Sequence, residues 1–272
     1  MPELPEVETT VRGLETVLKG RRLQRVELRR GDLRRPFPAD LGQRLTGARV
    51  TGLGRRAKYG LIETDRGDTL IFHLGMSGRW RIDPADIGAH DHVLIDTDDG
   101  RRLSLNDPRR FGSLDLVETD AVADWPAFRV LGPEPLGDAI DGKWLQATFA
   151  GRVAAVKLLL LDQRIVAGLG NIYACEALFR ARIDPRKAAG RVGRLRLDAL
   201  ARAIPAVLGD AIAAGGSSLR DFAAPDGELG YFSKQFDVYG REGELCRSGC
   251  GGIVRRIVQG GRSTFYCPGC QR

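Results

Sequence analysis

The chain has 272 residues, 43% of them hydrophobic, enough for one large domain or two modest ones with real cores. No run of eighteen apolar residues occurs, which excludes a membrane-spanning helix, and the acidic, proline-bearing start Met1-Pro2-Glu3-Leu4-Pro5-Glu6 is unlike a signal peptide, so a cytoplasmic location is expected. The net charge of +7 comes almost wholly from arginine, whose planar forks match phosphate; this points to a polyanion partner, although charge alone does not separate that from a solvated arginine-rich surface.

In chain order, apolar Val7, Val11, Leu14 and Leu18 recur at helical spacing, and Pro5 suits a first helical turn, where its missing N–H does no harm. From about residue 22 to 117 the pattern is strand-like. Apolar segments at 61–63, 69–74 and 92–96 alternate with turn signals at 65–68 and 98–100, which predicts an antiparallel β-sandwich or barrel. Gly132-Pro133-Glu134-Pro135-Leu136-Gly137 reads as a linker. Helices are expected over 153–161, 172–182 and 197–214. The last carries Leu200, Ile204, Val207, Leu208 and Ile212 on one face, with Pro205 as a candidate kink and Gly215-Gly216 as its stop. Residues 217–235 are polar and glycine-bearing and are expected to be mobile. The tail from 239 holds four of the five cysteines, and Cys175 stands apart.

Cys246 and Cys250 are separated by three residues, Cys267 and Cys270 by two. Strand-like residues 253–258 and a turn at 259–262 lie between the pairs. Two such knuckles joined by a hairpin bring four thiolates within reach of one Zn²⁺, with no ligand position left open, so the ion would be structural. Two disulfides or four free thiols are the alternatives, and a reducing compartment disfavours the disulfides.

Removal of Met1 would expose Pro2 as a secondary amine. An α-amino group titrates far below lysine, so part of it is neutral and nucleophilic near pH 7, and a secondary amine can form an iminium ion with a sugar aldehyde carbon. Glu3 and Glu6 are at hand for proton transfer. The other account is structural: proline and acids are simply favourable at a positive helix end.

The segments Met1 to Thr9, Arg55-Arg56-Ala57-Lys58-Tyr59, His73-Leu74-Gly75-Met76-Ser77-Gly78, Asp107-Pro108-Arg109-Arg110-Phe111-Gly112, Gly168-Leu169-Gly170-Asn171-Ile172-Tyr173 and the hairpin ending Arg262-Ser263-Thr264-Phe265-Tyr266-Cys267 are collinear along the chain. Together they resemble the formamidopyrimidine-DNA glycosylases. The resemblance implies an α+β protein: an N-terminal helix and antiparallel β-sandwich (1–131), a helical helix–two-turn–helix domain (132–238) and a C-terminal β-hairpin zinc finger (239–272). It implies a monomeric base-excision-repair glycosylase and abasic-site lyase, acting on damaged double-stranded DNA and chiefly on oxidised purines.

By the same resemblance, Pro2 matches the nucleophile attacking C1′ and Glu3 the general acid/base. Glu6 matches a structural acid, and Lys58 a lysine on the phosphate beside the lesion. Met76, Arg109 and Phe111 match side chains that refill the duplex where a base has been turned out. An apolar methionine can occupy the hole, an aromatic wedge can enter the stack, and an arginine can bond the orphaned cytosine. His90, Arg109 and Arg152 match DNA contacts, and Lys157 a lysine near the active site. Asn171 and Arg262 match phosphate-binding residues, although Asn171 reads equally as a helix N-cap. Residues 216–219 through 230–232 resemble a loop that recognises the extruded base. The first cysteine knuckle departs from the usual two-residue spacing. The competing readings are an endonuclease VIII-like enzyme for oxidised pyrimidines, disfavoured by Leu4 and the Met76–Arg109–Phe111 set, and a catalytically silent zinc-finger DNA-binding protein, disfavoured by intact Pro2, Glu3 and Lys58.

Overall fold

The computed structural model describes residues 2–137, 140–217, 225 and 232–272. Most of the segment matched to base recognition, 218–224 and 226–231, therefore lies outside the described residues. The chain divides into two compact units, one of residues 1–129 with 214–233 and the other of 130–213 with 234–272. No helix among the described residues is long and apolar enough to cross a membrane.

The first unit starts with helix α1 (Leu4–Leu18). Its predicted apolar face is its buried face: Val7, Val11, Leu14 and Leu18 are all in the core. Behind it stand two four-stranded antiparallel sheets. One runs β1 (Leu23–Leu28), β6 (Asp91–Thr97), β7 (Arg102–Asn106), β5 (Arg79–Ile82) in spatial order. The other runs β2 (Val50–Arg56), β3 (Tyr59–Thr64), β4 (Asp68–His73), β8 (Ser113–Glu118). The expected sandwich is therefore present, and the barrel is not. Both predicted turns close hairpins, β3 to β4 at Gly67 and β6 to β7 at Gly100. Phe72 of β4 meets Trp80 of β5 edge to face, with ring centroids 5.8 Å apart. A short helix α2 (Leu41–Leu45) interrupts the stretch predicted as strand; its two apolar ends, four residues apart, are both wholly buried. The unit also holds a one-turn helix α3 (Pro126–Arg129).

In the second unit, α4 (Gly142–Phe149) and α6 (Asn171–Arg180) both pack on α7 (Arg194–Ala213), and the short α5 (Val156–Leu160) packs on α6. Helix α4 had no counterpart in the sequence prediction. Asp141 caps it by accepting from Trp144 N–H at 2.6 Å. Helix α7 runs on through Pro205 and buries Leu200, Ile204, Val207 and Leu208 as predicted; Ile212 is only half-buried. The expected helix over 153–161 is shorter, since residues 152–155 form a turn whose carbonyls bond the 187–190 segment. The unit ends in the hairpin β9 (Arg255–Gln259) and β10 (Arg262–Tyr266), closed by Gly260 and Gly261 at positive φ.

Candidate functional site

At the start of α1, Pro2 and Glu3 are buried rather than frayed. The reason is Glu6, 2% exposed. One of its carboxylate oxygens accepts from Glu3 N–H at 2.8 Å, the reach-back half of a capping box. The other accepts from the backbone N–H and hydroxyl of Ser217 at 2.9 and 2.7 Å. The Glu6 carboxylate so engaged holds the backbone beside Pro2, and the Glu3 side chain completes the capping box by accepting from Glu6 N–H.

Lys58 sits in the two-residue turn joining β2 to β3, where Arg56 pairs with Tyr59. Ala57 adopts φ +52, and Arg55 stabilises that turn by donating to Ala57 O at 2.9 Å and to Glu8 of α1 at 3.0 Å. Arg55 thereby ties α1, which follows Pro2 and Glu3, to the turn that carries Lys58. Lys58 is itself 7% exposed. His73 pairs across the strands with Tyr59 and accepts from Gly75 N–H through Nδ1 at 3.0 Å. Burial first, and then the positive charges of Lys58, Arg34 and Arg35, lower its pKa from the ordinary 6.5 to about 4. It is therefore a neutral imidazole near pH 7.

Met76, Arg109 and Phe111 lie on two loops that Asp107 holds together. The wholly buried Asp107 carboxylate accepts from the Ser77 hydroxyl at 2.6 Å and from Gly112 N–H at 2.8 Å. Ser77 Oγ in turn accepts from Arg109 N–H at 3.2 Å. Gly75 has φ +62, and a Cβ there would lie 2.3 Å from the Phe111 carbonyl carbon, so only glycine lets the two backbones meet. Beyond this junction Phe111 is 43% exposed, with the Arg109 guanidinium 5.1 Å from its ring centroid. Met76 is half-buried and Arg109 exposed. An uncovered apolar and cationic tip on a hydrogen-bonded base is what insertion into a base stack requires.

Of the other two histidines, His90 is exposed and His92 is a buried strand residue whose Nε2 bonds Asp107 O at 2.9 Å. The loop before His90 is fixed by Asp91, whose carboxylate takes Gly88 N–H, Ser104 and Asn106 at 2.7 to 3.1 Å and is paired with Arg81. Burial opposes the Asp91 charge, but these partners outweigh it and hold its carboxyl below the usual range.

In the second unit Arg152 is exposed on the turn after α4. Lys157 is wholly buried. Its ammonium donates to Asn171 Oδ1 and Thr264 Oγ1, both at 2.6 Å, and to Ser263 O at 3.2 Å. The Asn171 amide also donates to Ser263 O, at 2.9 Å. Lys157 thus fastens α5, the start of α6 and β10 together and supports its neighbours from within. Asn171 is not the helix cap, which is Gly170; it is the first helical residue, with its side chain turned to the hairpin. Arg262 is exposed at the start of β10, beside that clamp.

None of the five cysteines is in a disulfide. Cys246, Cys250, Cys267 and Cys270 place their sulfurs within 4.8 Å of one another, with 3.6 Å for the pairs Cys246–Cys270 and Cys250–Cys267. Tetrahedral zinc at about 2.3 Å per sulfur requires S···S separations of about 3.8 Å, so the cluster fits the ion and excludes the disulfide alternative. The chain leading into this module is secured by Glu176 of α6, which accepts from the N–H groups of Asp237, Val238 and Tyr239 at 2.8 to 3.0 Å. Burial still pushes the Glu176 carboxyl above its ordinary range.

Sequence reading did not find Ser217, His73, Asp91, Asp107 or Glu176. Ser217 and Glu176 act on partners far along the chain, while His73, Asp91 and Asp107 combine near and more distant partners whose convergence depends on the fold.

Three family profiles match the chain: the formamidopyrimidine-DNA glycosylase N-terminal domain over 1–114, the H2TH domain of the same family over 131–223, and a zinc finger found in FPG and IleRS over 243–272. Proteins named formamidopyrimidine-DNA glycosylase from Novosphingobium aromaticivorans and Rhizorhabdus wittichii are 68% and 67% identical over all of both chains. Among solved structures, a Lactococcus lactis FPG variant in complex with Fapy-dG-containing DNA superposes with a TM-score of 0.91 at 36% identity over all of both chains. The MutM (FPG) protein of Thermus thermophilus superposes at 0.89 with 39% identity, covering 99% of this chain and 98% of that one.

Proposed function

This chain belongs to the formamidopyrimidine-DNA glycosylase family, and from that premise we propose that Pro2 is its nucleophile and that Glu3, Lys58 and Arg262 serve the reaction Pro2 starts. The chain is a base-excision-repair glycosylase and lyase for oxidised purines in duplex DNA. The observation that carries the residue assignment is the fixed, buried N-terminus: Glu6 holds the Glu3 backbone and Ser217, so Pro2 and Glu3 are set in place before substrate arrives.

With Met1 removed, the Pro2 amine attacks C1′ of the damaged nucleoside and the base departs. The sugar ring opens as Glu3 manages the proton, which gives an iminium ion between Pro2 and the sugar. Elimination then cuts the strand on both sides, with Lys58 and Arg262 on flanking phosphates. Met76, Arg109 and Phe111 refill the duplex. His90, Arg152 and Asn171 contact DNA, and Lys157 holds Asn171 and the hairpin in position. Cys246, Cys250, Cys267 and Cys270 hold one structural zinc, which shapes the hairpin and takes no part in the chemistry. We assign residues 1–131 to catalysis, 132–238 to DNA binding by the helix–two-turn–helix and 239–272 to the zinc finger, in a cytoplasmic monomer.

Borohydride treatment during turnover on an 8-oxoguanine duplex should link protein to DNA through the N-terminal peptide, in protein whose mass shows loss of Met1. A crosslink mapping to Lys58 would refute the assignment. A thymine-glycol duplex belongs in the same assay, because a Lactococcus lactis relative has been solved with DNA containing an oxidised pyrimidine; the purine duplex should be processed faster.

A further inference from the structure

The first knuckle, Cys246-Arg247-Ser248-Gly249-Cys250, is one residue longer than the usual two-residue spacing. It closes through Gly249, at φ +73, whose N–H donates to Cys246 O at 3.3 Å. The wider turn lays the Ser248 hydroxyl over the sulfur cluster. Ser248 Oγ is 2.8 Å from Cys270 Sγ and 3.2 Å from Cys246 Sγ, so it spans one sulfur from each knuckle. Across the cluster, Cys250 Sγ accepts from Gly252 N–H at 3.4 Å. A Cβ on Gly252 would stand 2.9 Å from Cys267 Sγ, so that flank of the sulfurs is closed by bare backbone.

Between a thiol and a hydroxyl either partner can donate. Zinc binding removes that freedom, since a thiolate has no proton and the hydroxyl must then be the donor. Four thiolates around Zn²⁺ carry a net charge of −2. A donor aimed at one of them disperses that charge and orients the sulfur toward the metal. Backbone N–H serves Cys250 in this way; at Cys270 the donor is a side chain, the Ser248 hydroxyl, that the extra knuckle residue brings into range.

We propose that Ser248 is an outer-shell hydrogen-bond donor to Cys270, the nearer of the two sulfurs its hydroxyl meets, and that it slows release of zinc from the four-cysteine site. The proposal rests on the zinc assignment, so the zinc content of the wild-type full-length protein is measured first; a wild-type protein without zinc would overturn that assignment directly. Zinc release into excess 4-(2-pyridylazo)resorcinol is then followed by absorbance for wild type, Ser248→Ala and Ser248→Thr. Loss of an outer-shell partner weakens metal binding by about 10- to 100-fold, so Ser248→Ala should release zinc at least about tenfold faster, while Ser248→Thr, which retains a hydroxyl, should stay close to wild type. Release from Ser248→Ala at the wild-type rate would overturn the proposal, and so would Ser248→Thr releasing as fast as Ser248→Ala.

Discussion

His73 shows how one residue's surroundings set a measurable pH dependence. It lies half-buried beside Lys58, Arg34 and Arg35, and its Nδ1 is already occupied by the Gly75 N–H, so protonation costs both desolvation and that bond. Its folded pKa, about 4, lies below the ordinary 6.5 of an unfolded chain. As pH falls below 6.5 the unfolded state takes up the proton first, and stability is lost until the pH reaches about 4. The shift corresponds to at most roughly 3 kcal/mol across that window. Urea unfolding of wild type and His73→Gln at several pH values isolates this contribution, because the carboxylates common to both proteins cancel. The wild-type advantage should shrink from pH 6.5 toward pH 4; parallel stability curves would show that His73 is not held neutral. The sequence places this histidine at the head of a matched segment but does not show its surroundings, because its charged neighbours come from a neighbouring turn and from residues about forty positions away.

At the scale of elements, what was legible followed from periodicity, and what was not depended on distant partners. The four-residue rhythm of Val7, Val11, Leu14 and Leu18 predicted α1 because helical spacing and burial coincide there. Helix α2 was not recognisable, since a five-residue helix shows only one apolar repeat, Leu41 to Leu45. Helix α4 was hidden in the same way, with only Leu145 and Phe149 as its buried pair. The knuckle spacing located the sulfur cluster, but not the role of Ser248 within it. The wedge loops show both sides of this. Their residues were proposed from the resemblance, whereas the Asp107–Ser77–Arg109 chain that holds the two loops in one base is a tertiary fact. That base makes the tip separable from its support. With Arg109 as the proposed donor to an orphaned cytosine, Arg109→Ala removes that donor while leaving the backbone bond to Ser77, so excision of 8-oxoguanine should slow and the preference for cytosine opposite the lesion should flatten. Phe111→Ala should slow excision with less change in that preference, since a phenyl ring reads no base edge. Cleavage at a preformed abasic site should be nearly unaffected in both, because no base has to be extruded there. Wild-type excision and an unchanged opposite-base preference in Arg109→Ala would remove these loops from the extrusion step.

For the whole molecule, the question is how much of the positive charge is available to DNA. The chain carries 42 lysines and arginines against 35 acids. The structure shows where much of that cationic charge is spent. Arg44 pairs with Asp68, Arg81 with Asp91, Arg102 with Asp96, Arg164 with Asp162, Arg186 with Asp184 and Arg180 with Asp210. A guanidinium already engaged by a carboxylate gains little from a phosphate and would leave an acid beside the DNA if it moved. The net surplus of +7, rather than the total of 42, therefore sets the scale for phosphate neutralisation. Each neutralised phosphate contributes about 0.9 to the logarithmic salt slope on duplex DNA, so equilibrium binding to an abasic-analogue duplex should follow a slope of about −6. Fluorescence anisotropy titrations between about 50 and 200 mM salt measure it, and a slope of about −6 corresponds to a loss of roughly three to four orders of magnitude in affinity over that range. A slope steeper than about −12 would mean that the paired arginines exchange their carboxylates for phosphates on binding, while one shallower than about −2 would leave the groove contacts and the wedge, not the charge, as the source of affinity.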